Sequence, residues 1–274
     1  MIQKDLTFEG PGLHTGVHCR CRIEPRQAVA GVPRFIFTTA MGSIPALVEH
    51  AEAVDFRTVL ANGRARVETV EHLLAALVIT AIPAAEIFVE GPEIPILDGS
   101  ALPFATALMD AGFPELEAGP DLSDEAVDLP SFEVRRGESF VRFIPGGAAV
   151  CDIEYTHPHP LVGRRRLEIP WTRADLVREI APARTFGFHS DREALTKAGL
   201  IRGVSLENCV IFGETELENP GGLRFPDEPL RHKLLDLLGD LALCGRPIRG
   251  RLDARNPGHA LNRRAAERAA NLTP

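Results

Sequence analysis

The pattern of apolar and polar positions divides the chain into two stretches with the same order of elements. In each stretch, short runs with strand-like alternation come before the helices. In the first stretch, the predicted strands cover residues 17–24, 34–38, 64–68 and 86–90, and the predicted helices cover 69–80 and a segment near 104–111. In the second stretch, the predicted strands cover 132–135, 139–144 and 149–155, and the predicted helices cover 229–243 and 261–271.

Strands followed by helices in each stretch predict an α+β fold, in which helices cover one face of a sheet. The recurrence indicates two similar domains and an internal duplication. Residues 115–125 are acidic, contain a Gly-Pro pair and show no apolar period, which is typical of a linker. We therefore predict an N-terminal domain over 1–116, a linker over 117–129 and a C-terminal domain over 130–274.

The composition is that of a globular chain, since 45% of the 274 residues are hydrophobic and 25% are charged. The net charge of −8 argues against nucleic-acid binding, which needs a positive field. Five scattered cysteines without a CxxC pair favour a reducing compartment. No signal peptide and no apolar stretch long enough for a bilayer is recognisable, so we expect a cytoplasmic protein without stable membrane insertion.

Two residue types that bind metals occur four positions apart near the end of the chain. On a helix, His232 and Asp236 lie on one face with about 5–6 Å between their Cβ atoms, which suits two ligands of one metal. Asp240 continues this polar row by one turn. Taken alone, such a spacing describes a surface His–Asp pair more often than a metal site.

A second candidate lies at the start of the apolar helix, where Glu71 precedes His72. In zinc enzymes with such a pair, the His binds the metal and the Glu takes a proton from water. The pair is a weak signal by itself, because the second His of HExxH is missing. Together with His232 and Asp236, it gives two His and one carboxylate with an open fourth position, as in catalytic zinc sites.

Other conspicuous residues allow a structural explanation. His259 follows a Gly-containing loop before the last helix and is either a turn residue or a second proton-transfer group. Two Gly/Pro-rich loops, over 10–16 and 91–100, lack the spacing of a phosphate loop or a dinucleotide fingerprint. We interpret both loops as turns at strand ends.

Eight short runs occur in the order found in one enzyme family and extend over nearly the whole chain. They are 12–16 (GLHTG), 69–73 (TVEHL), 91–100 (GPEIPILDGS), 183–188 (ARTFGF), 223–225 (LRF), 231–236 (RHKLLD), 239–241 (GDL) and 258–262 (GHALN). By these runs, the chain resembles the zinc-dependent UDP-3-O-acyl-N-acetylglucosamine deacetylases of lipid A biosynthesis.

The resemblance implies two similar α+β domains, each with a β-sheet layer packed on a helix layer, and an active site between the helix layers. It implies hydrolysis of the N-acetyl group of UDP-3-O-acyl-N-acetylglucosamine, with release of acetate, by an enzyme that holds one Zn²⁺ per chain. We expect this enzyme to be a monomer.

The resemblance also assigns the reacting groups. His72, His232 and Asp236 resemble the zinc ligands. Glu71 resembles the general base that activates water. His259 resembles the general acid, or the cation that faces the oxyanion.

Further roles follow from the same resemblance. Asp240 resembles the carboxylate that orients the general acid, and Thr185 resembles the hydroxyl that helps zinc to hold the oxyanion. Lys233 and Phe186 resemble substrate contacts, with the lysine near the diphosphate. Phe188 lies where the passage for the acyl chain begins.

The chain departs from the family around this passage, which we expect in an inserted unit over about 152–185. Val204 stands where a second glycine is common, and His189 and Arg192 stand where more apolar residues are usual. Each buried CH₂ of an acyl chain is worth ~0.8 kcal/mol, and a narrowed passage would lose this gain for the last carbons of a long chain. We therefore expect a preference for acyl chains of about ten to twelve carbons over chains of fourteen or more. The alternative is that Val204 points into the core.

Two other functions stay open from the sequence. The first is a related zinc amidohydrolase that acts on another N-acetylated sugar. The second is a sugar-nucleotide-binding protein that kept the fold but lost turnover; the intact pair of Glu71 and His259 argues against it, because binding alone needs neither a base nor an acid. A set of two His and one carboxylate also accepts Fe²⁺ or Co²⁺.

Overall fold

The first half of the chain alternates short strands with two helices. The structure is a computed structural model that describes residues 6–112 and 129–272. The elements of this half are β1 (Leu6–Pro11), β2 (His18–Arg26), β3 (Phe35–Thr39), β4 (Gly42–Pro45), β5 (Val59–Asn62), β6 (Ala65–Glu68), α1 (Glu71–Ile79), β7 (Ala84–Glu90) and α2 (Leu102–Asp110).

The second half repeats this order, but more elements precede α5 (Glu228–Leu241), which corresponds to α1 and is called the central helix of its half, as α1 is of the first. The elements of the second half are β8 (Phe132–Arg136), β9 (Ser139–Pro145), β10 (Val150–His157), β11 (Gly163–Pro170), α3 (Arg173–Glu179), β12 (Phe186–Phe188), α4 (Arg192–Lys197), β13 (Val210–Phe212), α5 (Glu228–Leu241), β14 (Gly250–Arg255) and α6 (His259–Ala270).

Each half builds a five-stranded sheet, and the two sheets have the same topology. The strand orders are β1-β2-β7-β3-β4 and, from the corresponding edge, β8-β9-β14-β10-β11. In both sheets the strand after the central helix lies between two hairpins, and it pairs parallel with the third strand of its half. The predicted α+β fold with two similar halves is confirmed.

The central helices α1 and α5 pack against each other inside one hydrophobic core that both sheets share. Almost every residue of α1 is buried, which explains its nearly unbroken apolar sequence. On α5 the leucines recur at helical spacing, as at Leu230, Leu234 and Leu237, and Pro229 lies in the first turn, where its missing N–H costs nothing. The polar residues of α1, Glu71 and His72, lie in its first turn, whereas His232, Asp236 and Asp240 recur every four residues along one side of α5.

Each half carries one insertion before its central helix. In the first half it is the β5–β6 hairpin. In the second half, β12 and β13 pair parallel and are connected through α4. Val210 and Phe212 of β13 form a small separate core with Val162, and Phe186 and Phe188 of β12 pack against it. This β12–α4–β13 unit, residues 186–212, does not coincide with the inserted unit expected over 152–185.

Residues 152–185 instead supply β11, α3 and most of β10. Both strands are hydrogen-bonded into the second main sheet, β10 to β14 as well as to β11. In β11, Gly163 is followed by three consecutive arginines, which hide the alternation of this strand in the sequence.

Element boundaries differ from the predictions by a few residues. Helix α6 begins at His259, two residues before the predicted start, so this histidine is helical instead of lying in a loop. Helix α5 ends at Leu241 and continues as a 3₁₀ turn over Ala242–Cys244. The predicted linker lies outside the described residues except for its last one, and the domain boundaries stay predictions. None of the helices described here is both long and apolar enough to cross a membrane.

Candidate metal centre and substrate pocket

Three buried side chains from α1 and α5 converge where the two helices meet. His72 Nε2 and His232 Nε2 lie 3.8 and 3.3 Å from Asp236 Oδ1. All three potential ligand atoms lie within 4.8 Å of one another, in a cluster that is unique among the described residues. Ligands about 2.0–2.2 Å from a zinc ion in a tetrahedron are separated by roughly 3.3–3.6 Å, so the spacing fits a metal after a small contraction.

The hydrogen bonds around these side chains also fit a metal. His232 Nδ1 donates to the Ala183 carbonyl at 3.0 Å, which leaves Nε2 with a lone pair directed at the cluster. Asp236 Oδ1 is buried and has no hydrogen-bond partner among the described residues. A buried carboxylate oxygen without a donor is costly, and a cation between the three residues would remove that cost.

The ionisation of the three residues suits metal binding. Burial, together with the neighbouring His232, lowers the pKa of His72 to about 3, and burial also lowers the pKa of His232. Burial opposes ionisation of Asp236, but His232 and Lys233 hold the pKa of that carboxyl well below its usual range. Near neutral pH the cluster therefore offers two neutral imidazoles and one carboxylate, which are the forms that bind a metal.

Lys233 is attached to the cluster and also faces the pocket. Its Nζ donates to Asp236 Oδ2 at 3.1 Å and lies 5.3 Å from the ring centre of Phe186. Although burial disfavours its charge, the carboxylate of Asp236 raises the pKa of Lys233. The side chain is thus a fixed cation at the edge of the metal cluster.

Glu71 is the first residue of α1 and is 2% exposed. One of its carboxylate oxygens, Oε2, accepts a hydrogen bond from the Thr58 N–H at 3.0 Å. Burial, with the charges of Asp240 and Asp236, raises the pKa of Glu71 to about 8. A carboxyl with this pKa can exchange protons near neutral pH.

His259 lies across the site from Glu71, at the start of α6. Its Nδ1 donates to Asp240 Oδ2 at 3.0 Å, and its Nε2 lies 4.0 Å from Asp236 Oδ2. Burial opposes protonation, but the charge and hydrogen bond of Asp240 raise the pKa of His259 to about 9. Asp240 also accepts hydrogen bonds from Asn262 Nδ2 at 2.9 Å and from Thr58 Oγ1 at 2.5 Å.

A cavity of about 930 Å³ opens from the metal cluster. Glu71, His259, Thr185, Phe186 and Lys233 line it near the cluster. Its other end runs along the β12–α4–β13 unit, where mostly apolar side chains line it. These are Phe188, Leu195, Ile201, Val204, Leu206 and Ile211, with His189, Arg192 and Thr196 among them.

The structure brings all ten predicted site residues into or around this cavity. Nine line it directly, and Asp240 lies behind His259. The sequence interpretation gave no role to Thr58, which lies in none of the eight runs, or to Asn262, which ends the run 258–262 but contacts Asp240 only through the tertiary fold. It also missed the Ala183 carbonyl, since a backbone acceptor carries no side-chain signal.

The chain is similar to known proteins over nearly its full length. A family model described as LpxC: UDP-3-O-acyl N-acetylglycosamine deacetylase matches residues 1–271. The UDP-3-O-acyl-N-acetylglucosamine deacetylase of Anaeromyxobacter sp. (strain Fw109-5) is 40% identical over 261 residues, which cover 95% of this chain and 84% of the relative. The protein of the same name from Myxococcus xanthus (strain DK1622) is 39% identical over 265 residues, which cover 95% of this chain and 82% of the relative.

Proposed function

The chain belongs to the UDP-3-O-acyl N-acetylglycosamine deacetylase family, and on this premise we propose that it is a zinc-dependent enzyme of lipid A biosynthesis. It removes the N-acetyl group of UDP-3-O-acyl-N-acetylglucosamine and releases acetate. The observation that carries this proposal is the buried cluster of His72, His232 and Asp236, with an unpartnered carboxylate oxygen, at the end of the cavity.

The residues of the cluster would hold a Zn²⁺ ion by two imidazole nitrogens and one carboxylate oxygen. When bound, zinc supplies Lewis-acid polarisation of the amide carbonyl and favours ionisation of water at neutral pH. The hydrogen bond from His232 to Ala183 fixes the imidazole in the tautomer that ligation requires.

Glu71 takes the proton of the attacking water. With Oε2 held by the Thr58 N–H, Oε1 is left for the water. A base must be ionised to act, and a divalent cation held by the cluster would lower the pKa of the Glu71 carboxyl from its raised value. Such a positioned base contributes roughly 10²- to 10⁴-fold to the rate.

His259 acts on the other side of the reacting carbonyl. The Asp240 carboxylate accepts from Nδ1, so Nε2 is directed toward the cluster. The raised pKa keeps this imidazole protonated near neutral pH, so it can stabilise the oxyanion and then give a proton to the departing amine. The Thr185 hydroxyl is a second donor for the oxyanion.

The remaining residues bind and orient the substrate. Lys233, a fixed cation beside the cluster, pairs with the diphosphate, and Phe186 packs against the substrate. The apolar end of the cavity, which begins at Phe188, accepts the 3-O-acyl chain. Binding by these remote groups holds the acetamide in place for attack.

The test is acetate release from UDP-3-O-acyl-N-acetylglucosamine by the zinc-loaded protein, with the free amine as the second product. Glu71→Gln should keep its zinc and lose several orders of magnitude in kcat. Glu86→Gln, which changes a half-buried glutamate on β7 away from the cavity, is the matched control. Turnover of other N-acetylated sugars but not of this substrate would favour the related amidohydrolase, and zinc-loaded protein without turnover would favour a binding protein.

A further inference from the structure

Thr58, which directly precedes β5, hydrogen-bonds to the carboxylates of both Glu71 and Asp240. Its N–H donates to Glu71 Oε2 at 3.0 Å, and its hydroxyl donates to Asp240 Oδ1 at 2.5 Å. The same hydroxyl oxygen lies 3.3 Å from Nδ1 of His259. Thr58 is 7% exposed, so water cannot readily replace these bonds.

The segment that carries Thr58 is fixed on its other side. Arg57 Nε donates to Glu68 Oε2 at 2.6 Å, which ties the segment to β6. Phe56 has φ +69°, in the left-handed region that a bulky residue rarely adopts. Such a conformation persists where surrounding contacts hold it, and it concentrates at functional sites. The backbone before Thr58 is therefore held in a shape that the local sequence does not favour.

We propose that Thr58 is a positioning residue that sets the relative placement of Glu71 and His259. Its N–H holds one oxygen of Glu71, so that the other faces the water. Its hydroxyl holds Asp240 in the orientation that points Nε2 of His259 into the cleft. This proposal rests on the proposed function, because it concerns the groups that transfer the protons.

The backbone and side-chain contacts of Thr58 can be separated by substitution. The backbone N–H that binds Glu71 stays in any variant, so a change of side chain tests only the contacts of the hydroxyl with Asp240 and His259. Thr58 does not line the main cavity, and its hydroxyl hydrogen-bonds to Asp240 and His259 and not to a proposed metal ligand, so we expect substrate and zinc binding not to depend on that hydroxyl. The loss of its hydrogen bond should therefore appear in kcat and leave KM within about twofold.

The decisive variants are Thr58→Val, which keeps shape but removes the hydroxyl, and Thr58→Ser, which keeps the hydroxyl. Thr80→Val is the matched control, because Thr80 is 1% exposed and its hydroxyl donates to the Ala76 carbonyl at the other end of α1. Because Thr58→Val removes a hydrogen bond to a charged group, we expect kcat to fall by roughly 10- to 100-fold in this variant. Thr58→Ser should recover most of the rate, and Thr80→Val should keep it.

A double-mutant cycle tests whether the hydroxyl acts through Asp240. In the Asp240→Asn background, Thr58→Val should cost much less than in the wild type. Equal losses in both backgrounds, unchanged kcat in folded Thr58→Val, or no recovery in Thr58→Ser would each overturn the proposal. If circular dichroism shows Thr58→Val to be unfolded, Thr58→Cys takes its place, because its thiol is a weaker donor of similar size. A kcat of Thr58→Cys equal to that of the wild type would then overturn the proposal. Failure of the proposed function would appear separately, as wild-type protein without acetate release.

Discussion

Gly239 on α5 lies against the backbone carbonyl of Glu71 on α1, so closely that a Cβ at residue 239 would come 2.1 Å from that oxygen. The missing side chain lets the two helices approach where their polar residues meet. His72 follows Glu71, and Asp236 and Asp240 flank Gly239 within one turn. The distance between the two halves of the candidate site is thus set by one glycine.

Gly239→Ala should destabilise the protein and lower its activity. The methyl group would meet backbone atoms that cannot move aside, so we expect a loss of about 1–3 kcal/mol in the free energy of unfolding. This outweighs the gain of about 1 kcal/mol from the higher helix propensity of Ala. Urea unfolding measures the effect, and Gly221→Ala, whose Cβ would meet no atom within 4 Å, is the control. Equal stability of the two variants would contradict the tight crossing.

The repeated order of strands and helices was visible in the sequence because α1 and α5 have strong apolar patterns. The short strands β4, β5 and β14 escaped prediction, since they have four to six residues and depend on pairing partners far away in the chain. The pairing of β14 between β9 and β10, for example, joins residues more than a hundred positions apart. Local periodicity cannot specify such contacts.

The sequence predicted those parts of the candidate site whose residue types have a recognisable chemistry, such as metal ligands and proton-transfer groups. His232 and Asp236 have a spacing with a direct geometric meaning on a helix. Their combination with His72 came from ligand chemistry and then from the resemblance, and not from periodicity. Thr58 could not be found, because a threonine before a short strand has no chemical signature until the fold places it between two carboxylates.

Removal of a metal ligand should abolish metal binding and activity together. His232→Ala and Asp236→Ala each delete one of three proposed protein ligands, so the purified variants should contain far less zinc than the wild type. A chelator should stop wild-type turnover, and added Zn²⁺ should restore it. Metal analysis decides, with His18→Ala on the exposed face of β2 as the control. One equivalent of zinc and full activity in His232→Ala would refute the assignment.

Asp240→Asn should move the pH–rate profile toward lower pH. In the proposed mechanism, turnover requires ionised Glu71 and protonated His259, so kcat/KM rises as Glu71 loses its proton and falls as His259 loses its proton. The negative charge of Asp240 raises the pKa of both groups. Removal of this charge lowers both pKa values, so the rising and the falling limb of the bell-shaped profile both shift to lower pH. The two apparent pKa values read from the profile belong to the coupled pair of Glu71 and His259.

The comparison needs full profiles of wild type and Asp240→Asn at saturating zinc. Asp253→Asn on β14 is the control, because this aspartate pairs with Arg251 and does not line the cavity. A shift of the Asp240→Asn profile to higher pH would show that the charge of Asp240 does not govern these ionisations.

Lys233→Met should weaken both substrate and metal binding. Its ammonium donates to Asp236 Oδ2, so the substitution removes a support of a proposed ligand as well as the cation that we propose pairs with the diphosphate. From the sequence alone, only substrate binding would be expected to change. Zinc affinity and KM should be measured together, with Lys197→Met as a control that changes an exposed lysine. An equal rise in KM on a substrate without the diphosphate would reject the phosphate contact.

Val204→Gly should shift the preference toward longer acyl chains. Val204 lines the apolar end of the cavity, whereas Gly203 is fixed by the Gly12 carbonyl, only 2.1 Å from where its Cβ would lie. The valine fills space that a chain could occupy, and each additional buried CH₂ is worth ~0.8 kcal/mol. Four more carbons would thus favour a long chain by roughly 3 kcal/mol at most if the passage opens fully. The ranking of kcat/KM across chain lengths measures this effect, and Val29→Gly, at an exposed position, should leave the ranking unchanged. An unchanged ranking in Val204→Gly as well would mean that other side chains, such as Arg192, close the passage.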